Sequence, residues 1–260
     1  MKIAIAGAGG RMGRTLIEAV LADASLTLAA ALESATSPAV GTAAGGVRVG
    51  SDARAAVAAG DVLIDFTRPE ATLACLDLCV AAGKRMVIGT TGFSAAEKDR
   101  IARGAATIAV VMAPNFAIGV NAVFHLAASA AAILGDDYDV EIVEAHHRHK
   151  VDAPSGTALK LGEIIATVLG RDLRAVSIHG RHGETGARPP QQIGFHAVRG
   201  GDIVGEHTVV FAGTGERVEI AVRSQSRMTY ALGALRAAKW LMGRTPGLYD
   251  MRDVLGLGKI

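Results

Sequence analysis

Residues 3 to 6, Ile-Ala-Ile-Ala, run directly into Gly7, Gly9, Gly10 and Gly13, and Met12, Leu16, Ile17, Val20 and Leu21 then recur at helical spacing. An apolar strand that breaks at a glycine turn and opens an amphipathic helix constrains the fold strongly, because it is the first half of a parallel strand–helix–strand unit. Met12 stands where the last glycine of a Gly-x-Gly-x-x-Gly pattern falls, so the register that works is Gly7, Gly10 and Gly13. Such a turn brings backbone amides, and the positive end of a helix, up to a pyrophosphate. Gly7, Ala8, Gly9, Gly10, Arg11 and Met12 are therefore candidate dinucleotide contacts.

The same alternation continues along the chain. Leu26 to Leu32 reads as a second buried strand ending at Glu33, and a short strand near Val47 to Val49 precedes an Ala-rich helix from about Asp52 to Ala59. Val62 to Phe66, Met86 to Ile88 and Ile108 to Met112 are further strands. Between them, Thr67 with Glu70 and Ser94 with Glu97 have the spacing of capping boxes, Pro69 stands near a helix start, and Gly83 closes a helix. This spacing predicts a doubly wound parallel sheet. After about residue 118 the pattern changes: a long apolar helix from Val120 to Leu134, a strand from Val140 to Val143, a histidine-rich loop, and a helix beginning near Thr157. Beyond Ala175 strands dominate, with Gly200-Gly201 and Gly213-Thr214-Gly215 as hairpin turns, and Tyr230 to Met242 returns to a helix that packs back on the first domain. The expectation is an α/β chain with an N-terminal Rossmann-type domain and a second α+β domain on a mixed sheet.

Composition narrows the function classes. Apolar residues make up 50% of the 260 but aromatics only 4%, which suits Ala-, Val- and Leu-rich helices packed on a parallel sheet. The net charge is +2 and the basic residues are scattered, so no stripe marks a nucleic-acid or membrane partner. No export signal is evident, and no uninterrupted apolar run approaches the roughly 18 residues of a membrane helix. A cytoplasmic location is expected. Cys75 and Cys79, four apart in an apolar segment, read as buried inert thiols on one helix face.

Three further constellations carry chemistry. Glu33, at a strand end twenty residues beyond Gly13, suits the adenosine ribose hydroxyls. Gly89, Thr90 and Thr91, and then Ala113, Pro114, Asn115 and Phe116, both follow strands and so fall at the sheet edge where nicotinamide contacts are made. The richest stretch is Glu144-Ala145-His146-His147-Arg148-His149-Lys150-Val151-Asp152-Ala153-Pro154-Ser155-Gly156-Thr157. Its imidazoles and Lys150 are equipment for acid catalysis on an anion, and Ser155, Gly156 and Thr157 open a helix whose amides hold a carboxylate. Zinc is the rival reading of the three histidines. It is weakened by Arg148 and Lys150 and by the absence of ligand spacing, so no metal is expected.

On these residues, above all His146 to Thr157, supported by Gly7 to Gly13, Asp65-Phe66-Thr67, Gly89 to Gly92 and Asp250 to Leu255, the chain resembles the dihydrodipicolinate reductases, also called 4-hydroxy-tetrahydrodipicolinate reductases, of bacterial lysine and diaminopimelate synthesis. The resemblance runs the whole length. It implies a dinucleotide-binding domain over residues 1–117 completed by 227–260, a substrate-binding and oligomerisation domain over 118–226, and a homotetramer built through the second sheets that closes on its ligands by a hinge. It also implies NADH- or NADPH-dependent reduction of (2S,4S)-4-hydroxy-2,3,4,5-tetrahydrodipicolinate, a small cyclic dicarboxylate, to tetrahydrodipicolinate with loss of water. By that resemblance His146 is the acid/base and Lys150 the proton donor, while His147, Gly156 and Thr157 touch substrate. Some members carry an arginine directly after the ribose-binding glutamate, but here that position is Ser34. Two other readings stay open at this point: a semialdehyde dehydrogenase of the same architecture, and a catalytically silent dinucleotide sensor.

Overall fold

The computed structural model describes residues 1–258 and divides them into two compact units, one of Met1–Ile118 with Arg227–Leu257 and one of Gly119–Ser226. In the first, alternating strands and helices run β1 (Lys2–Ala6), α1 (Arg11–Leu21), β2 (Thr27–Leu32), β3 (Ala43–Ala44), β4 (Val47–Gly50), α2 (Ala53–Ala59), β5 (Val62–Asp65), α3 (Pro69–Ala82), β6 (Arg85–Ile88), α4 (Ala95–Ala105) and β7 (Ala109–Met112). The second unit is built from α5 (Ile118–Leu134), β8 (Asp139–His146), α6 (Gly156–Val168), α7 (Leu173–Val176), β9 (Ser177–His179), β10 (Ile193–Arg199), β11 (Gly205–Ala212) and β12 (Arg217–Ser224). The chain then returns to the first unit with α8 (Met228–Leu241), β13 (Gly247–Tyr249) and α9 (Met251–Leu255).

The first sheet has the order β13-β7-β6-β5-β1-β2-β4-β3 and is parallel except for the β3–β4 pair. Its two faces follow from strand alternation. Ile3, Ile5, Ile64, Val87 and Val111 pack under α1, α8 and α9, whereas Ala4, Ala6, Leu63, Met86 and Val110 pack under α2, α3 and α4. Both faces are covered, which is why the strands read as continuous apolar runs. All these strands point their carboxyl ends, and hence Gly7, Glu33, Thr67, Gly89 and Ala113, to one edge.

The second sheet, ordered β12-β11-β8-β10-β9, is mixed: β8 runs parallel to β10 and antiparallel to β11. Val140 and Ile142, with Phe195, Val209 and Phe211, lie under α5 and α6. The opposite face carries Glu141, Val143, Val198 and Val210 and, among the described residues, no helix. With the turn that follows it, α5 is long and apolar enough to cross a membrane by length and composition alone, although Asn121, His125 and Ser129 interrupt its apolar residues. Val123, Ala127 and Ala131 bury one side of it in this core, while Leu126 and Ile133 on it are exposed.

Several local expectations change. The capping box at Ser94 forms, with Ser94 and Glu97 bonded reciprocally, but the one at Thr67 does not. Arg68 takes the N-cap of α3, Pro69 starts the helix, and the Thr67 hydroxyl turns back to Asp65. Gly200-Gly201 is no hairpin, because the strands it joins, β10 and β11, flank β8 instead of pairing with each other. Gly213 to Gly215 does close a hairpin, β11 to β12. The strand β8 extends three residues beyond Val143, which makes His146 a strand residue and not a loop residue.

Candidate active site

The glycine turn is built by close approach. Gly7 has φ +72°, and a Cβ on Gly13 would lie 2.0 Å from the Gly7 carbonyl oxygen, so α1 can leave the turn only with glycine at both places. A Cβ on Gly9 would meet Ala39 at 2.8 Å. Gly10 is the N-cap of α1 and the first turn holds no acidic residue, which leaves the helix's positive end facing outward without a side-chain cap. Glu33 sits one residue beyond β2, where its carboxylate accepts the Gly9 amide at 2.8 Å and the Ser34 amide at 2.9 Å. A tight glycine turn that opens the uncapped start of α1, with an acidic side chain beside it, fits a pyrophosphate and a ribose diol.

The neighbouring loops are tied to this turn by a buried acid that the sequence reading passed over except as part of a family motif. Asp65 ends β5 fully buried. Its Oδ1 accepts the Thr67 amide at 2.8 Å and the Thr67 hydroxyl at 2.6 Å, and the Thr90 hydroxyl lies 3.4 Å away. Thr90 also accepts the Thr67 amide and the Thr72 hydroxyl, so its side chain points into the sheet edge, leaving only its backbone for a ligand. Phe66 covers Gly89, where a Cβ would lie 2.1 Å from the ring, and stacks tilted on Phe116 at 5.4 Å. Ala113 and Phe116 are buried, Asn115 is half-buried, and Thr91 and Pro114 are exposed. Cys75 and Cys79 are buried on α3, and burial pushes both thiols up to about 12, which removes them as nucleophiles.

In the second unit the organising group is Glu144, only 1% exposed on β8. Its Oε2 meets His146 Nδ1 at 2.6 Å and Arg199 Nη1 at 2.8 Å, while its Oε1 accepts Arg199 Nη2 at 2.7 Å and the Ser155 amide at 3.1 Å. Burial works to raise this carboxyl, but the Arg199 fork and His146 outweigh it and hold it below the usual carboxylate range. Burial lowers the His146 imidazole, and Glu144 only partly opposes that. Arg199 reaches on to the Asp152 carbonyl at 2.7 Å, anchoring the loop that carries Lys150. Lys150 Nζ lies 2.8 Å from both carboxylate oxygens of Asp152.

Ser155 is the N-cap of α6, accepting the Ala158 amide, and its hydroxyl also meets His207 Nε2 at 2.9 Å. Burial drives His207 down to about 4, with His146 adding to the effect, and the two rings meet edge to face at 5.2 Å. His147 is half-buried and its Nδ1 has no partner. The structure thus gathers His146, Arg199 and Ser155 around one carboxylate, with Lys150 on the loop that Arg199 anchors, and puts Gly156 and Thr157 in the first turn of α6. Glu144 stood in the sequence stretch without a role. Its position on the buried face of a strand, in phase with Val140 and Ile142, was the available signal. Arg199 and His207 come from strands more than fifty residues downstream of Glu144, and no local pattern marks them.

Comparison with known proteins agrees with the geometry. The sequence profile for the dihydrodipicolinate reductase N-terminus matches residues 1–116, and that for the C-terminus matches residues 119–255. A 4-hydroxy-tetrahydrodipicolinate reductase of Aromatoleum aromaticum is 59% identical, covering 99% of this chain and 96% of that protein, and one of Thiobacillus denitrificans is 57% identical, covering 99% of both. Among solved structures, a dipicolinate-bound dihydrodipicolinate reductase from Paenisporosarcina sp. TG-14 superposes with TM-score 0.81 at 29% identity, covering 96% of this chain and 97% of that one. A probable dehydrogenase from Thermotoga maritima, TM-score 0.63 at 11% identity over 98% of this chain and 92% of that one, shares the fold.

The environment of Asp65 generates a pH prediction. Burial raises its carboxyl, with the threonine bonds only partly opposing, so the fold binds its proton more tightly than the unfolded chain does. The stability this contributes is complete below the unfolded value of 3.8 and is lost as pH rises through the folded value. Asp65→Asn, which keeps the Oδ1 acceptor, should therefore show a smaller fall in unfolding free energy than the parent as pH is raised from 4 to 8. Parallel stability curves from urea unfolding would refute this.

Proposed function

The chain belongs to the dihydrodipicolinate reductase family, whose chemistry is a nicotinamide-dependent reduction, and on that premise we propose that it reduces (2S,4S)-4-hydroxy-2,3,4,5-tetrahydrodipicolinate to tetrahydrodipicolinate. The observation that carries the reading is the Glu144-centred cluster, which sets His146 and a lysine-bearing loop at the start of α6. That is an arrangement for a dianionic substrate that must take up a proton. The reaction consumes one hydride and one proton and releases the 4-hydroxyl as water. When bound, the dinucleotide supplies the hydride.

The chain's own residues do the rest. The turn from Gly7 to Met12 and the positive end of α1 hold the pyrophosphate, Glu33 turns from the Gly9 amide to the ribose hydroxyls, and the backbones of Gly89 to Thr91 and Ala113 to Phe116 border the nicotinamide. Gly156 and Thr157 at the start of α6 and the imidazole of His147 take substrate carboxylates, and Ser155 contributes by capping that helix. His146 and Lys150 act as one proton-transfer unit, Asp152 holding the ammonium in place until a substrate anion competes for it. On this reading the protein works in the cytoplasm as a homotetramer joined through the helix-free face of the second sheet, where Val143 is 36% and Val198 50% exposed. Light scattering should give a tetramer mass that Val198→Glu lowers, and a monomeric parent would contradict the assembly.

Cofactor choice follows from the ribose end. Glu33 repels a 2′-phosphate, and the exposed Ser34 beside it offers no charge in compensation. NADH should serve at least as well as NADPH. A clear NADPH preference in kcat/KM would show that Arg11, exposed at the turn, or another cation overrides Glu33.

The proton-transfer assignment is tested by following cofactor oxidation at 340 nm with substrate made in situ. His146→Gln and Lys150→Ala should each lower kcat by roughly 10²- to 10⁴-fold with NADH affinity little changed, and the double replacement should cost far less than the product. His147→Gln should chiefly raise KM. Near-normal kcat in both single variants would remove the loop from the chemistry.

A further inference from the structure

We propose that Glu144 is the positioning residue of His146, holding its ring so that Nδ1 carries the proton and Nε2 is the atom that exchanges protons with substrate, with Gly205 keeping the space beside Nε2 open. The proposal rests on the reading of His146 as acid/base and adds which atom acts and what aims it.

The argument begins with what a carboxylate can accept. Glu144 receives two nitrogens of Arg199 and the Ser155 amide, all obligatory donors, while Arg199 also bonds the Val198 and Asp152 carbonyls. A carboxylate fixed as acceptor on both oxygens can face Nδ1 at 2.6 Å only if the hydrogen is on the ring nitrogen. In the neutral imidazole Nε2 is then the lone-pair atom and takes a proton. In the cation the same Nε2–H gives it back. Glu144 therefore leaves one ring nitrogen for the chemistry and steadies the positive charge while the ring carries it.

The second observation is steric. A Cβ on Gly205, at the start of β11, would lie 3.2 Å from His146 Nε2 and 3.5 Å from Cδ2. Gly205 has no positive φ and pairs regularly with Ser224, so its backbone would accept any residue there. The glycine is explained by the ring beside it. Around His146 the charged and titratable groups are Glu144 on its own strand, Arg199 from β10, Lys150 and Asp152 from the loop, and His207 from β11. Of these only Glu144 bonds the ring. Ser155 from α6, bonded to Glu144 and His207, ties the helix start to the same carboxylate.

Nitrogen-15 chemical shifts of His146 in the free wild-type enzyme, assigned by comparison with His146→Gln, should show the neutral ring protonated at Nδ1. A ring protonated at Nε2 overturns the proposal whatever the variants do, and this readout needs no turnover. It thus fails separately from the acid/base reading, which fails through a normal kcat in His146→Gln. Glu144→Gln should lower kcat on the order of 10²-fold, leave NADH affinity within about 2-fold, and move the limb of the kcat/KM profile that His146 sets down by about one pH unit. An unchanged limb with unchanged kcat overturns it. Gly205→Ala, which leaves Glu144 intact, should lower kcat with the Nδ1–H tautomer retained, and a normal kcat there overturns the clearance role of Gly205.

Discussion

A carboxylate buried to 1% exposure must be matched by donors or it does not stay in the fold, and Glu144 is matched by donors from its own strand end, from β10 and from the start of α6. The requirement runs in both directions. The donors satisfy the carboxylate, and the carboxylate fixes where they stand. Arg199 carries the constraint onward to the loop backbone at Asp152, so the elements bearing His146, Lys150 and Ser155 meet at one charge. The loop between β8 and α6, largely exposed from Arg148 to Ala153, thereby acquires a defined geometry at its buried ends.

Two buried acids in this chain show how environment sets the role of one chemical group. Glu144 faces a guanidinium and an imidazole, is held low, and serves as a fixed negative charge. Asp65 faces only hydroxyls and an amide, is held high, and its Oδ2 has no partner. It serves as a knot between the loops after β5 and β6. Each acid stands at or near the carboxyl end of a strand, Asp65 in the parallel sheet and Glu144 between the parallel β10 and the antiparallel β11 of the mixed one.

The parts of the fold that were legible in the sequence are those fixed by local chemistry. The glycine turn read correctly, in the register Gly7, Gly10 and Gly13, because a helix packed within contact of its own turn leaves no alternative to Gly13. The helix stops and starts at Gly83 and Ser94 were likewise written in single residues. Where a local signal competed with a tertiary partner, it lost: Thr67 has capping spacing, yet Asp65 takes its hydroxyl. The strand β13 is three residues long and is made a strand only by pairing with β7, so no periodicity announces it, although the Asp250–Asp253 capping box of α9 was there to be read. In the site, His146, Lys150 and the start of α6 lie in one stretch and were found together. Arg199 and His207, which complete the cluster, were not, because only sheet pairing of β8 with β10 and β11 brings them near.

Glu144 and Arg199 act as a unit on which the cluster of His146, Ser155 and the Lys150 loop is built. A double-mutant cycle with Glu144→Gln and Arg199→Met, read as unfolding free energy, tests this most directly. Each single change strands a buried partner and should cost about 3 kcal/mol or more, whereas the pair together should cost clearly less than their sum. Additive losses, with a coupling indistinguishable from zero, would mean that the two residues stand side by side without depending on each other, and the account would fail.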